Sequence, residues 1–192
     1  MPESASPLTT APSPPILELL LDEVGVDEAI GRMAANIAER HGPEADLVVV
    51  GIPTRGVEVA RRLIEKLAAQ NGTSAELGVV DVSMHRDDLA TRHRLTAVET
   101  TQLPVELEGR TLILVDDVFF TGRSVRAALD AIWSYGRPGR IELAVLIDRG
   151  HRQLPLHPDY TGKKVSTQFT EKIRVRFSRL DGVPDSVHLV KP

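Results

Sequence analysis

With 192 residues, 42% of them hydrophobic and 26% charged, the chain has the size and composition of one soluble domain that buries roughly 70% of its unfolded surface, which excludes wholesale disorder, collagen-like structure and a bundle of membrane spans. The absence of cysteine removes disulfides, thiolate metal sites and a cysteine nucleophile. The formal charge of -4 gives the whole molecule no attraction for nucleic acid, so such a partner needs a local basic face.

In chain order, residues 1–15 are rich in Pro, Ser and Thr and bury too little to order themselves, which predicts a disordered extension ahead of a single domain over 16–192. The opening stretch has no basic n-region, and Ile16 to Leu21 is too short for a signal core or a membrane span, so a cytoplasmic location is expected. Ile30, Met33, Ala34 and Ile37 recur at helical spacing and predict a helix that stops near His41-Gly42-Pro43. Leu47 to Ile52 is a continuous apolar run of the kind that forms a strand buried on both faces. A second helix carries Val57, Ala60, Leu63, Ile64 and Leu67 inward, and Leu77 to Val82 reads as the next strand. From Met84 to Glu108 apolar periodicity is lost, as in a functional loop or excursion. Thr111 to Asp117 is a third buried strand, Ser124 to Tyr135 a helix with Val125, Ala128, Leu129 and Ile132 inward, and Ile141 to Asp148 a fourth strand. This order predicts an α/β fold with an open, mainly parallel sheet flanked by helices, whose ligands sit beyond the carboxyl ends of the strands. The core spans about 26–148. A polar, basic segment then leads to strands at Ile173 to Phe177 and Ser186 to Val190, read as a small appended lobe over about 149–192.

The chemistry concentrates in Leu112-Ile113-Leu114-Val115-Asp116-Asp117-Val118-Phe119-Phe120-Thr121-Gly122-Arg123-Ser124. Adjacent carboxylates are tolerable only if wet, hydrogen-bonded or near a cation, and such a pair suits sugar hydroxyls. The Thr121 to Ser124 turn offers consecutive amides, two hydroxyls and a helix N-terminus, which together form a phosphate cup. A Walker loop is excluded by the missing Gly-Lys-Ser/Thr ending, and a Rossmann fingerprint by the missing GxGxxG. A receiver domain would leave Thr121 to Ser124 unexplained; a plain strand-end turn would leave the phosphate cup without a purpose. Gly51-Ile52-Pro53-Thr54-Arg55-Gly56 stands at another strand-to-helix turn facing the same crevice, where Thr54 and Arg55 either hold a second anionic group or form an ordinary turn.

The thirteen-residue stretch resembles the phosphoribosyl pyrophosphate (PRPP) signature of the type I phosphoribosyltransferases. The pieces GIPTRGVEVARRL, MHRDDL and LAVLIDRGHRQLPLHPDYTGKKVST narrow the resemblance, from about Val26 to Val190, to the PyrR family of bifunctional pyrimidine operon attenuators and uracil phosphoribosyltransferases. The resemblance implies conversion of uracil and PRPP to UMP and pyrophosphate with Mg²⁺ held mainly by PRPP and water rather than by a dedicated protein cage. It makes Asp116, Asp117 and Arg86 catalytic, residues 112–124 the PRPP site, Thr54 and Arg55 pyrophosphate ligands, and Arg149, Gly150 and Val165 the frame of the base. Arg86 would sit on a loop that closes over PRPP. His151 is either a proton shuttle or a surface histidine. The family also binds a messenger RNA leader with UMP or UTP and forms dimers or higher homo-oligomers, which implicates Arg32, Arg152 and Lys163 as RNA contacts.

Departures from the family pattern bear on the RNA function. A Thr-Arg-x-x-His pattern on the first helix reads Gly31-Arg32-Met33-Ala34-Ala35 here, and His157 stands where the family has Arg. Each lost phosphate contact weakens RNA binding. Arg149, Arg152, Lys163, Lys164, Lys172, Arg174, Arg176 and Arg179 nevertheless cluster late in the chain, as a basic face or as an edge strand guarded against aggregation. The alternatives are an RNA-binding regulator with little catalysis and a phosphoribosyltransferase acting on a purine.

Overall fold

The computed structural model describes residues 15–82, 101–104 and 106–191. Its elements run β1 (Ile16–Leu21), α1 (Glu23–His41), β2 (Leu47–Gly51), α2 (Arg55–Asn71), β3 (Ala75–Val79), β4 (Thr111–Phe119), α3 (Arg123–Trp133), β5 (Arg140–Asp148), β6 (Tyr160–Lys164), β7 (Lys172–Arg176), α4 (Ser178–Asp181) and β8 (Ser186–Val190).

A five-stranded sheet of order β3-β2-β4-β5-β6 is parallel throughout. Alternation along its central strands divides the core. Leu47, Val49, Ile113 and Val115 pack with α1 and α2, whereas Val48, Val50, Leu112 and Leu114 pack with α3. Two buried faces explain why these strands read as unbroken apolar runs. α1 starts on Asp22, whose side chain accepts a hydrogen bond from the Gly25 amide at 2.8 Å, and stops at Gly42 with φ 74°; both ends follow ordinary capping chemistry. On α2 the buried set includes Gly56, Glu58 and Val59, with Val57 and Ile64 only half-buried. Glu58 is drawn inward because Arg61 and Arg62 bind its carboxylate at 2.7 and 2.8 Å.

A second sheet of order β1-β8-β7 is antiparallel. We refer to it as the hood. Val175, Phe177 and Val187 bury one of its faces in the core shared with α1 and α2. Two features here differ from the sequence expectation. Ile16 to Leu21, read only as a short apolar stretch, forms β1 and pairs with β8, so the hood is built from both ends of the domain. Tyr160 to Lys164, inside the segment read as polar and basic, forms β6 and pairs with β5. No helix among the described residues is long and apolar enough to cross a membrane.

Candidate PRPP site

β2 stays with β4 as far as the Gly51–Val115 pair and the hydrogen bond from the Ile52 amide to the Val115 carbonyl (2.9 Å). The chain then turns into α2, while β4 continues beside β5 to the Phe119–Asp148 pair. Asp116 and Asp117 therefore lie within β4, on the stretch that β2 has left, rather than at the strand's last residue. The opening so formed is the crevice that an open parallel sheet offers a ligand. Glycine is required at both turns of the β2–α2 connection. A Cβ on Gly51 would meet Val57 Cα at 2.4 Å, and one on Gly56 would meet the Val115 carbonyl oxygen at 2.6 Å.

Asp116 is buried, and its Oδ1 accepts the Asp117 amide at 2.9 Å. Burial pushes the Asp117 carboxyl above its ordinary range, against the Asp116 hydrogen bond and the charge of Arg55, both of which favour ionisation. A polar ligand that hydrates or hydrogen-bonds this carboxyl relieves that cost. Phe120 to Gly122 make the turn into α3, with Gly122 at φ 90° as its N-cap. The Thr121 carbonyl accepts the Gln153 amide at 3.0 Å, and its hydroxyl lies 3.5 Å from the Arg123 amide. Gly122 supplies no side-chain cap to α3 and the Thr121 hydroxyl reaches only the Arg123 amide, so the first turn keeps further amides and the dipole that favour an anion. Leu112, Ile113, Leu114 and Val115 are buried sheet core leading into this turn. Arg123 is exposed, whereas Val118 and Ser124 are half-buried.

The structure brings Arg55 to the hood. Its Nε donates to the Val175 carbonyl at 2.8 Å and its Nη2 to Asp181 Oδ1 at 2.7 Å. Thr54 is exposed at the start of α2. Arg86 lies outside the described residues, as does most of the Met84 to Glu108 stretch.

Beyond β5, Arg149 is buried and its amide donates to the Phe119 carbonyl at 3.1 Å. Its guanidinium donates to Thr167 Oγ1 at 3.2 Å and to the Gln168 carbonyl at 2.9 Å, and lies 4.1 Å from the centre of the Phe120 ring. Burial lowers the Arg149 pKa, with the Glu171 charge acting in the opposite sense. Gly150 has φ 73° and donates its amide to Asp148 Oδ1 at 3.0 Å. His151 has φ 63°, and its Nε2 lies 2.7 Å from the Thr167 carbonyl oxygen, a distance at which the ring N–H donates. The Val165 amide donates to the Asp148 carbonyl at 2.9 Å.

Arg149 and His151 thus pin Thr167 to Phe169. The Phe169 ring stands 5.1 Å from that of Phe120 and 5.7 Å from that of His151. This aromatic wall, directly before the Thr121 to Ser124 turn, escaped sequence reasoning. Phe169 was detectable only as a lone aromatic in a polar segment, and Thr167 contributes a backbone carbonyl.

The three proposed RNA contacts divide into two places. Arg32 lies against β6, donating to the Gly162 carbonyl at 3.3 Å, and Lys163, the next residue of that strand, donates to the Leu20 carbonyl at 2.7 Å. Arg152 instead pairs with buried Asp148 at 2.5 Å and lies over the Phe119 ring. No three His, Asp or Glu side chains among the described residues converge as a metal cage. The carboxylates at the crevice, Asp116 and Asp117, are oxygen donors of the kind a hard cation such as Mg²⁺ accepts, directly or through water.

The phosphoribosyl transferase domain family matches residues 20–178. The bifunctional protein PyrR of Chloroflexus aurantiacus is 49% identical over 164 residues, 85% of this chain and 90% of that protein. That of Halalkalibacterium halodurans is 45% identical over 169 residues, covering 87% and 94%. A hypoxanthine phosphoribosyltransferase structure from Trypanosoma cruzi superposes with a TM-score of 0.72 at 18% identity, over 92% of this chain and 96% of that one. One from Staphylococcus aureus gives 0.68 at 20%, over 92% of both. At such identities these two show the fold alone. By that match and by its similarity to these relatives over nearly the whole domain, the chain belongs to the phosphoribosyl transferase domain family and, within it, to the PyrR family.

Proposed function

We propose that the chain joins uracil to PRPP, forming UMP and releasing pyrophosphate, in the cytoplasm and as a homo-oligomer. The observation that carries this reading is the Asp116–Asp117 pair on the stretch of β4 that β2 has left, followed at once by the glycine-capped N-terminus of α3. The bond from uracil N1 to the ribose anomeric carbon forms as the bond from that carbon to pyrophosphate breaks, and the N1 proton leaves to water. The transition state is oxocarbenium-like, so positioning and charge stabilisation supply the rate. The amides of Thr121 to Ser124 hold the 5′-phosphate, and Asp116 and Asp117 accept hydrogen bonds from the ribose hydroxyls. Arg55 and Thr54 serve the pyrophosphate, together with Arg86. Arg149, Gly150 and Val165 frame the base, whose face lies against Phe120 and Phe169. Mg²⁺ bound to PRPP would neutralise the leaving pyrophosphate.

The relatives' name of bifunctional protein, together with Arg32 lying against the strand that carries Lys163, supports a second activity: uridine-nucleotide-dependent binding of a pyrimidine-operon leader RNA. Arg152 serves that activity less directly, because Asp148 already holds it.

The test offers uracil, hypoxanthine and guanine in turn with PRPP and Mg²⁺, beside a titration of leader RNA with UMP or UTP. UMP is the expected product, and Asp116→Asn with Asp117→Asn should lower kcat/KM on the order of a hundredfold. Folded protein that turns over no uracil would remove the reading, and preference for hypoxanthine or guanine would replace it. Equal affinity for scrambled RNA would remove the second activity.

A further inference from the structure

The arginine of the proposed pyrophosphate turn is built into a contact that no motif announces. Arg55 opens α2, yet its two bonded groups reach Val175 and Asp181, 120 and 126 residues further along the chain. Asp181 is itself fixed. Its Oδ2 accepts the Phe177 amide at 2.9 Å, its own amide donates to the Phe177 carbonyl at 2.8 Å, and Gly182 at φ 67° ends the short α4 turn behind it.

We infer that Asp181 is a positioning residue for the pyrophosphate end of the site, holding the Arg55 guanidinium in place from the hood so that it meets PRPP already oriented. The inference rests on the PRPP reading above. The two bonds use Nε and Nη2, and the Nη1 group takes no part in them. Arg55 directly precedes Gly56, which lies so close to β4 that an added Cβ would stand 3.1 Å from Asp116 Cα. Its backbone is thus held beside the carboxylate stretch while its side chain is held by the hood; its charge also favours ionisation of Asp117. An arginine at the start of a helix on a turn would otherwise have many rotamers to lose when an anion arrives. A fork fixed beforehand loses fewer.

A purely structural role for Asp181, fastening the hood, is separable because the hood has another fastening. Asp185 binds Arg62, whose guanidinium lies 4.8 Å from the centre of the Phe177 ring, and Asp185 Oδ1 accepts the Ser178 amide at 2.7 Å. Asp185 bonds to Arg62 and Ser178, not to Arg55.

The experiment measures Mg²⁺–PRPP binding by calorimetry and initial-rate kinetics on the full chain, with Asp181→Asn, Asp185→Asn, Arg55→Ala and the Asp181→Asn/Arg55→Ala pair. Asp181→Asn should weaken PRPP binding about tenfold and leave the KM for uracil unchanged. It should have no further effect once Arg55 is alanine, because it acts through that residue. Asp185→Asn should lower Tm without moving PRPP affinity. The inference is overturned by unchanged affinity in Asp181→Asn, by the same loss in the Arg55→Ala background, or by an equal loss in Asp185→Asn. An unaltered chain that binds no PRPP would overturn the underlying reading as well, so the two failures are distinguishable.

Discussion

A methyl group at position 56 would stand 2.6 Å from the Val115 carbonyl oxygen and 3.1 Å from Asp116 Cα. Both are backbone atoms of a central strand and cannot step aside without moving the carboxylate pair. Gly56→Ala should therefore cost about 1–3 kcal/mol and lower PRPP affinity together with Tm. Gly31→Ala is the matching control, since the nearest atom to its added Cβ is Gln70 Nε2 at 4.0 Å. In a helix interior that change should raise stability by about 0.5–1 kcal/mol. Thermal denaturation beside PRPP calorimetry checks both, and a Gly56→Ala protein as stable as its parent would contradict the close approach. At this scale the sequence was legible wherever chemistry is local. Asp116, Asp117 and Thr121 to Ser124 lie within nine residues, and a strand followed by a turn and a helix can place them only at one crevice edge. Arg55 was legible as a charge and not as a contact, because Val175 and Asp181 reach it only through the tertiary fold. Phe169 was hidden for the same reason, since Phe120 and His151 come from different strand ends.

β6 shows why an element can be invisible in sequence. Tyr160-Thr161-Gly162-Lys163-Lys164 has neither an apolar run nor a clean alternation, yet it pairs with β5 because particular side chains anchor it. The Tyr160 hydroxyl donates to Glu142 Oε2 at 2.6 Å, His41 Nε2 lies 2.7 Å from the same oxygen, and Arg40 approaches Oε1 at 3.2 Å. Gly162 lets the strand close up, since a Cβ there would meet the Leu146 carbonyl oxygen at 2.6 Å. Burial opposes the charge on Glu142, but the hydrogen bonds from Tyr160 and His41 and the neighbouring charges outweigh it, so the carboxyl is held below its ordinary range. A lowered folded pKa gives stability that is complete above the unfolded value of about 4.3 and is lost as pH falls through the folded one. Glu142→Gln should cost about 2 kcal/mol at pH 7, and that difference from the parent should shrink below about pH 4. Urea midpoints between about pH 3 and 7 read this directly; a difference that stays constant with pH would mean that the carboxylate charge contributes nothing.

Viewed as one molecule, the chain closes on itself through the hood, where β1 and the β7–β8 pair join segments from opposite ends of the domain. From the sequence the lobe lies only in the late residues, where Ile173 to Phe177 alternates, whereas Ile16 to Leu21 shows no clean alternation that marks a strand; in the structure Ile16, Leu17 and Leu19 are exposed. Backbone pairing with β8 and the packing of Leu20 and Leu21 against the α1–α2 core hold β1 in place instead. The late basic residues are likewise dispersed by the fold: Arg149 is buried against Phe120, Arg152 pairs with Asp148, and Lys163 reaches the Leu20 carbonyl. Removal of residues 1–14 leaves the Lys191–Pro15 hydrogen bond and every β1 pair intact, so Tm and UMP formation should match those of the full chain. Removal through Leu21 takes away the packing of two half-buried leucines, worth about 2–3 kcal/mol together, and bares the edge of β8. Tm should then fall by roughly 4–12 °C, and Lys163 loses its carbonyl partner. If Lys163 contacts RNA, the longer truncation should retain leader binding at temperatures where it remains folded, whereas PRPP affinity should fall, because β1 pairs with the strand that supports the Arg55 clasp. An equal Tm for the two truncations would show that β1 adds nothing to the hood.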